Sequence, residues 1–308
     1  MRVTQPGFYT QATQQMGKQQ AKVFDTQEQL ASGKKMLAPS DDPALVAALN
    51  NLKSQMDINQ RYLTNLDRMV DTLKMQEASV SAAVGVVSRI KELSIQAAND
   101  TYSAADRKTI AIEVKELISS LADLGNMRGT DGAYLFSGYS QDQAPFVEGD
   151  LGEVTYTGSA DYHQVMVGEG RIMQVGMPGS DLFGSVQHLD KTTNVKSSID
   201  FFSTLGDMYK ALVNNDADAI RENIDKVSSV HEHITIQESK IGPRMQRIET
   251  LTNAGEDRDF TYKALRSSME DLDYVEAASR LKQHSLALQA GQQTFAQLSG
   301  LSLFKYIS

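Results

Sequence analysis

The chain has 308 residues, a hydrophobic fraction of 41% and a formal net charge of −9. It has enough apolar side chains to bury a core, while its acidic balance argues against attraction to nucleic acid or anionic membranes. There is no cysteine, so disulfides, thiolate metal sites and cysteine nucleophiles are excluded.

The amino terminus lacks the apolar stretch of a secretory signal, and no apolar run in the chain is long enough to insert into a membrane. These two observations alone predict a cytosolic protein. Residues 1–37 then carry apolar side chains seven apart, at Tyr9, Met16, Val23, Leu30 and Leu37. The companion positions are Ala, Gln, Thr and Gly, so this helix has a narrow apolar stripe that it cannot bury alone.

A break follows at residues 38–43. We expect Pro39 to end the first helix. Ser40, Asp41 or Asp42 can cap the next helix, and Pro43 suits its first turn.

The next helix is predicted from about Pro43 to Asn99, roughly 85 Å at 1.5 Å per residue. Steps of three and four residues give a nearly continuous apolar seam, which is typical of helices that pack as a coiled coil. Two polar residues on it are either tolerated at the edge of a bundle or fix the register of the helices. The seam positions are Leu49, Leu52, Met56, Asn59, Leu63, Leu66, Val70, Leu73, Glu77, Val80, Val84 and Val87.

Ser103 and Asp106 have the spacing of a capping box, which predicts another helix that ends near residues 125–129. Residues 130–195 are rich in glycine. Short alternating runs at 154–156, 165–167 and 172–175 predict β-hairpins joined by glycine turns.

Helix is predicted again near 197–213, and another apolar seam then runs from Ile220 to Ile248 with Pro243 as an expected kink. It includes Ile224, Val227 and Ile234. The final helix places Tyr274, Leu281, Leu288 and Phe295 seven apart, with Ala277, His284, Gly291 and Leu298 as companions.

These elements predict a mainly α-helical fold: a long antiparallel rod-like bundle of heptad helices, formed by the amino- and carboxy-terminal halves, with a small β-rich insert in the middle. We expect three regions. Residues 1–37 with 273–308 form a terminal coiled coil for assembly, 38–129 with 197–272 form the helical rod, and 130–196 form the outer insert.

We find no constellation for catalysis, a cofactor or a metal. His231 and His233 are two residues apart on a predicted helix, so their rings point to different sides and cannot share an ion. Residues 168–170 and 176–179 are glycine pairs without the Lys-Ser/Thr of a phosphate loop. Paired acids such as Asp41 and Asp42 are explained as helix caps. The chain is therefore predicted not to be an enzyme.

The terminal helices are the candidate site. They have small, uncharged faces rich in glutamine and alanine, and a pair of them is marginal in water, so ordering on assembly with further copies is plausible. The predicted assembly interface is Tyr9, Met16, Val23, Leu30, Leu281, Leu288, Phe295 and Leu298. The predicted bundle seam is Leu49, Leu52, Met56, Leu63, Leu66, Val70, Leu73, Ile224, Val227 and Ile234.

Several motifs, in order, resemble flagellin-like proteins. Residues 30–35 read Leu-Ala-Ser-Gly-Lys-Lys and residues 39–43 read Pro-Ser-Asp-Asp-Pro, followed by the long heptad helix. The Gln, Ala and Leu pattern of 281–303 resembles the carboxy-terminal helix of the family. The resemblance covers roughly 1–145 and 200–308.

Three details resemble the family's hook–filament junction proteins more than flagellin itself. The chain starts Met-Arg-Val with Tyr9 following, and Pro43 stands where flagellins commonly have a small residue. Residues 134–139 read Tyr-Leu-Phe-Ser-Gly-Tyr, and 144–146 read Ala-Pro-Phe.

The resemblance implies a structural subunit that forms the layer between hook and filament, with its terminal helices innermost. The implied partners are copies of itself, the hook-side junction protein (hook-associated protein 1), flagellin, an export chaperone and the flagellar type III export apparatus. The implied location is extracellular, in the flagellum, without a cleaved signal peptide, which replaces the cytosolic prediction. The alternatives are flagellin itself and a soluble coiled-coil adaptor unrelated to flagella.

Overall fold

The computed structural model describes residues 5–140, 142–149, 153–190 and 194–307. Long helices account for most of them and short strands occupy the middle of the chain, which confirms the prediction of a mainly helical protein with a small β-rich insert. The helices are α1 (Gln5–Ser32), α2 (Pro43–Ala97), α3 (Ala104–Gly125), α4 (Gly179–Leu182), α5 (Phe201–Val213), α6 (Ala217–Ser239), α7 (Ile241–Glu270) and α8 (Tyr274–Ile307). The strands are β1 (Phe146–Glu148), β2 (Val154–Tyr156), β3 (His163–Gly168), β4 (Arg171–Val175), β5 (Ser185–Leu189) and β6 (Lys196–Asp200).

The chain divides into two compact units. The terminal unit comprises Met1–Ile58 and Asp257–Ser308, and the central unit comprises Asn59–Glu256. The large hydrophobic core lies in the central unit, where it runs from Leu66 on α2 to Ile248 on α7.

The buried side of α2 in the central unit follows the heptad pattern with local shifts, as where Met69 is buried and the predicted Val70 only partly. Glu77 is exposed, and the polar residue on the seam is instead Gln76, which is fully buried. The next buried residue of the seam follows Leu73 by three positions rather than four, because loops of the insert pack over that flank of the helix. The Gln76 amide donates to the carbonyl oxygens of Leu135 at 2.7 Å and Met177 at 3.1 Å.

Within the central unit, α2 runs antiparallel to α6 and α7. The Asn59 Nδ2 donates to the Gly255 carbonyl at 2.8 Å, and Gly255 is also close to the Leu63 side chain. Farther along α2, Lys91 lies near His231, and burial together with this charge lowers the pKa of that imidazole. The earlier residues of α2 therefore lie beside α7, and its later residues lie beside α6. A side chain at Gly255 would push α2 and α7 apart.

Most predicted helix starts are confirmed. Asp42 caps α2, since its Oδ1 accepts from the amides of Ala44 and Leu45 at 3.1 and 3.0 Å. Ser103 and Asp106 form a reciprocal capping box at the start of α3. Both caps satisfy amides that the first helical turn leaves without a partner.

The predicted end of the first helix is wrong. Helix α1 ends at Ser32, well before Pro39, and Leu37 lies in the following loop. Gly33 has φ of 71°, the left-handed conformation in which glycine commonly terminates a helix. The predicted interruption at Pro243 is confirmed: α6 ends at Ser239, the residue whose carbonyl the proline ring would meet in a continuous helix.

The described residues of the insert form three antiparallel two-stranded hairpins, β1–β2, β3–β4 and β5–β6. The expected strands at 154–156, 165–167 and 172–175 are present. The expected helix from about 197 begins later, because Lys196–Asp200 pairs with β5 and places Ile199 opposite the buried Val186. Asp200 then caps α5 through the Ser203 amide at 2.7 Å.

A cluster of aromatic rings joins the insert to α5. Phe183 contacts Phe136, Phe146, Phe201 and Phe202 with ring centroids 5.0 to 6.4 Å apart. Edge-to-face and tilted pairs of this kind stabilise a core beyond their buried area. The insert is therefore part of the core of the central unit.

Candidate assembly site

The two terminal helices, α1 and α8, pack as an antiparallel pair in the terminal unit. Near one end the rings of Tyr9 and Phe295 meet edge to face, with centroids 5.7 Å apart. Farther along, the Gln19 amide lies 3.2 Å from His284 Nδ1 and donates to the His284 carbonyl at 3.3 Å.

At its other end the pair is held by a short backbone bridge. The Leu272 amide donates to the Gly33 carbonyl and the Lys35 amide to the Glu270 carbonyl, both at 2.9 Å. Lys34 adds an ion pair with Glu270 at 2.6 Å. We call residues 33–35 with 270–272 the clasp, and it joins the end of α1 to the segment just before α8.

The terminal unit buries few apolar side chains. Among its described residues the buried hydrophobic ones are Leu52, Leu272 and Ala277. In contrast, Phe24 is 64% exposed, Leu286 67% and Val275 83%. A helix pair with so little buried surface gains little free energy from its own packing, because burial is the main favourable term.

The residues predicted for assembly lie on the facing sides of α1 and α8, and each described one is only partly buried. Leu298 is part of α8, but its side chain lies outside the described residues. The partly buried residues are Tyr9, Met16, Val23, Leu30, Leu281, Leu288 and Phe295. Their role in assembly stays a prediction.

One stretch of the pair is free of carboxylate, ammonium and guanidinium side chains. From Gln5 to Gly17, and from Gln283 to Phe304, the sequence contains no Asp, Glu, Lys or Arg. A neighbour can cover alanine, glutamine, serine and scattered large apolar residues without the large cost of burying a charge.

A groove of about 320 Å³ runs between α1 and α8 in this uncharged part. Its floor contains Met16, Leu288 and Phe295, and small residues such as Ala12 and Gly291 leave the space open. Gly291 has only the Met16 Cγ, at 3.8 Å, near the place where a side chain would begin.

The predicted seam residues divide into buried and partly buried positions. Leu49, Met56, Val70 and Ile224 are partly buried. The buried ones are Leu52, Leu63, Leu66, Leu73, Val227 and Ile234. Whether the seam contributes to function stays a prediction.

Sequence reasoning missed several buried polar residues of the central unit, and Gln76 and Arg107 are the two with the most backbone partners. Gln76 is adjacent in sequence to Glu77, the position that the heptad pattern places on the seam. Arg107 is 6% exposed and donates to the Ala97 and Asn99 carbonyls and to Asn215 Oδ1. The guanidinium charge of Arg107 therefore lies at the carboxy-terminal end of α2, where the last carbonyl groups of the helix need hydrogen-bond donors. The signal available was an arginine soon after a predicted helix end.

The two histidines of α6 do not face a common ligand. The His233 Nε2 lies 2.9 Å from the Asp181 carbonyl, and burial lowers the pKa of its imidazole. Burial also lowers the pKa of His231, with the charge of Lys91 as a smaller cause.

Within the described ranges, no group of three or more His, Cys, Asp and Glu side chains has the geometry to hold a metal ion. Nor does any helix there have the length and apolarity to cross a membrane.

Comparison with known proteins places the helical parts of the chain in one family. The model of the bacterial flagellin N-terminal helical region matches residues 5–141, and that of the C-terminal helical region matches 224–307. Together the two matches cover most of the chain.

Similar proteins match over nearly the full length. Flagellar hook-associated protein 3 of Escherichia coli is 26% identical over 99% of both chains, and so is its namesake from Salmonella typhimurium. The solved structure of a putative flagellar hook-associated protein from Vibrio parahaemolyticus has a TM-score of 0.64 and 18% identity, covering 75% of this chain and all of the other. The last comparison concerns the fold.

Proposed function

The chain belongs to the flagellin family, and from that premise we propose that it is a structural subunit of the bacterial flagellum that forms the junction layer between hook and filament. The observation that carries this proposal is the α1–α8 pair, which has no sizeable core of its own and has no Asp, Glu, Lys or Arg over residues 5–17 and 283–304. The full-length similarity to hook-associated protein 3 supports the same function.

The physical driving force is burial of apolar surface that the single chain leaves exposed. Burying a side chain such as Phe24 or Leu286 contributes about 1.5–3 kcal/mol. One contact of this size is weak, but the same contact repeated between all copies in a layer gives a stable assembly. The subunit polymerises through its terminal helices and catalyses no reaction.

The junction position requires particular neighbours. The chain assembles with other flagellar components, and we assign as its partners further copies of itself, hook-associated protein 1 on the hook side and flagellin on the filament side. We further propose that it reaches this extracellular location by flagellar type III export, after a chaperone has held its carboxy-terminal helix. Residues 1–37 with 273–308 serve assembly, 38–129 with 197–272 form the supporting bundle, and 130–196 face outward.

Two other functions make different predictions. A flagellin would be the dominant protein of sheared filaments, whereas a junction subunit is a trace component. A soluble coiled-coil adaptor would leave the flagellum unchanged when its gene is deleted. We expect deletion of this gene to leave hooks without filaments.

Complementation of the deletion strain tests the assembly function. Leu288 lies between α1 and α8, so Leu288→Asp places a charge in the helix pair, and we expect loss of filaments and of motility. Leu281→Asp should act in the same way. The exposed Lys282→Glu, which also adds negative charge to α8, is the matched control and should support normal motility.

Circular dichroism separates assembly from folding, because the core of the central unit contains neither residue. We expect each variant to keep the thermal unfolding transition of that core. Normal motility with Leu288→Asp would refute the proposed role of the terminal helices.

A further inference from the structure

A cavity of about 460 Å³ lies in the central unit between α2, the loop after α3 and the hairpin of β3 and β4. Pockets of this volume hold small molecules in other proteins. Its inner wall is apolar, since Met69 and Met177 are buried and Leu135 is half-buried. Tyr134 and Tyr162 add two aromatic rings to the lining. The cavity therefore offers apolar surface to the side chain of a small ligand.

The segments that enclose the cavity are fixed to one another. The buried Gln76 side chain bonds the backbone of the loop and of the segment after β4. Asn65 on α2 donates to a carbonyl of β3 at 2.8 Å. The Arg128 guanidinium lies 4.2 Å from the centre of the Tyr134 ring and donates to its hydroxyl at 2.7 Å. A site that is formed in advance loses little free energy to ordering when a ligand binds.

Two charged side chains of α2 line the same cavity. Arg68 and Asp71 are both exposed. Among the described residues, neither side chain has an ion-pair or hydrogen-bond partner. Residues three apart are neighbours on a helix surface, about 4.5 Å apart along its axis. A positive and a negative group therefore lie side by side next to apolar surface, and both are available to a ligand.

We infer that the cavity binds a free α-amino acid with an apolar side chain. The ammonium and carboxylate of an amino acid are attached to one carbon, so they are close together and opposite in charge, as Asp71 and Arg68 are. Arg68 binds the carboxylate, for which the planar guanidinium is the best protein partner. Asp71 binds the ammonium. The apolar side chain then lies against the methionines, whose flexible thioethers adapt to its shape.

The pair of charges favours this class of ligand over others. An uncharged molecule would leave both Arg68 and Asp71 without a partner. A simple anion or cation would pair with one of them and be repelled by the other, and a peptide end carries only one of the two charges. The site contains no residue of α1 or α8, so it goes beyond the proposed function and does not depend on it.

Calorimetric titration of the purified chain with leucine tests the site. We expect saturable binding at one site per chain. N-acetyl-leucine lacks the ammonium and leucinamide lacks the carboxylate, so each should bind at least about fivefold more weakly than leucine, because one charged hydrogen-bonded contact is lost. Glycine, which has no side chain to place in the cavity, should also bind more weakly than leucine.

Two variants assign the contacts separately. Arg68→Gln should weaken binding of leucine and of N-acetyl-leucine but not of leucinamide. Asp71→Asn should weaken binding of leucine and of leucinamide but not of N-acetyl-leucine. The matched controls are Arg61→Gln and Asp67→Asn, which remove the same charges from exposed positions of α2 outside the cavity. Both controls should bind leucine like the wild-type chain.

All four variants change exposed helix positions, so we expect each to keep the thermal unfolding transition of the wild-type chain. Absence of leucine binding at millimolar concentration would overturn the site. So would equal binding of leucine and either analogue, or wild-type affinity for leucine in Arg68→Gln or in Asp71→Asn. None of these results bears on the junction function, which is tested by filament formation in the deletion strain.

Discussion

Gln76 shows how one buried amide connects the insert to the long helix of the central unit. Its Nε2 donates to the Leu135 and Met177 carbonyls, and its Oε1 accepts from the Met177 amide at 2.9 Å. A side chain that satisfies three backbone groups in the interior is costly to remove, because those groups are left without partners.

Neighbouring positions give a direct test of this role. Gln76→Ala should lower the free energy of unfolding by about 2–4 kcal/mol, since it leaves buried polar groups unpaired and opens a cavity. Glu77→Ala, at the exposed next position, should change it by less than about 0.5 kcal/mol. Urea unfolding followed by circular dichroism measures both, and equal effects would show that Glu77 holds the seam position after all.

His233 provides a pH test at the same scale. Burial lowers the pKa of its imidazole, and the partial countereffects are its hydrogen bond to the Asp181 carbonyl and the Asp181 carboxylate. Lys240 also faces it and lowers the pKa further. The native state therefore favours the neutral ring, and the unfolded chain takes up the proton first as the pH falls below about 6.5.

We expect the free energy of unfolding to decrease from about pH 6.5 downward, with a slope of at most about 1.4 kcal/mol per pH unit for each such histidine. His231, whose pKa is lowered in the same direction, adds to this slope. Urea unfolding at pH 7.5 and at pH 5.5 measures the effect. His233→Gln should reduce the pH dependence and His231→Gln with His233→Gln should reduce it further. An unchanged slope in the double variant would contradict the assignment.

At the scale of elements, the sequence predicts what local chemistry determines. The starts of α2 and α3 follow from Asp42 and from the pair of Ser103 and Asp106, whose side chains bond amides two or three residues away. The seams follow from apolar spacing, and the break at Pro243 follows from a missing amide hydrogen. None of these depends on a distant part of the chain.

The sequence predictions are wrong where contacts with distant residues, or a competing local signal, determine the structure. Lys196–Asp200 forms a strand because β5 supplies its hydrogen-bond partners. The choice of Gln76 over Glu77 depends on where the loops of the insert dock. For α1, Gly33 ends the helix before Pro39 can act. The sequence carried that signal, because glycine is common just beyond a helix end.

The candidate site could be predicted as a pair of helices but not as a surface. Heptad spacing places Met16 and Leu288 on facing sides, as the structure does. It does not reveal the groove, which exists because Ala12, Ala287 and Gly291 leave space between the helices. Nor does it identify Phe24, which lies off the heptad positions and is exposed in the single chain.

At the scale of the molecule, apolar burial is distributed unevenly between the two units. The core cluster belongs to the central unit, and the terminal unit buries three hydrophobic residues among those described. Local stability follows such burial, so the two units should open with different free energies. A terminal unit that is marginal in the monomer can gain its stability when neighbouring copies cover it.

Hydrogen exchange on the purified monomer tests this difference directly. We expect rapid exchange of the amides in α1 and α8, because their opening disrupts little buried surface, and slow exchange in the helices of the core between Leu66 and Ile248. The same measurement on sheared flagella provides the control, since assembly should slow exchange in α1 and α8 and change the core little. Equally slow exchange at both terminal helices in the dilute monomer would mean that the pair is complete by itself, and assembly would then need another driving force.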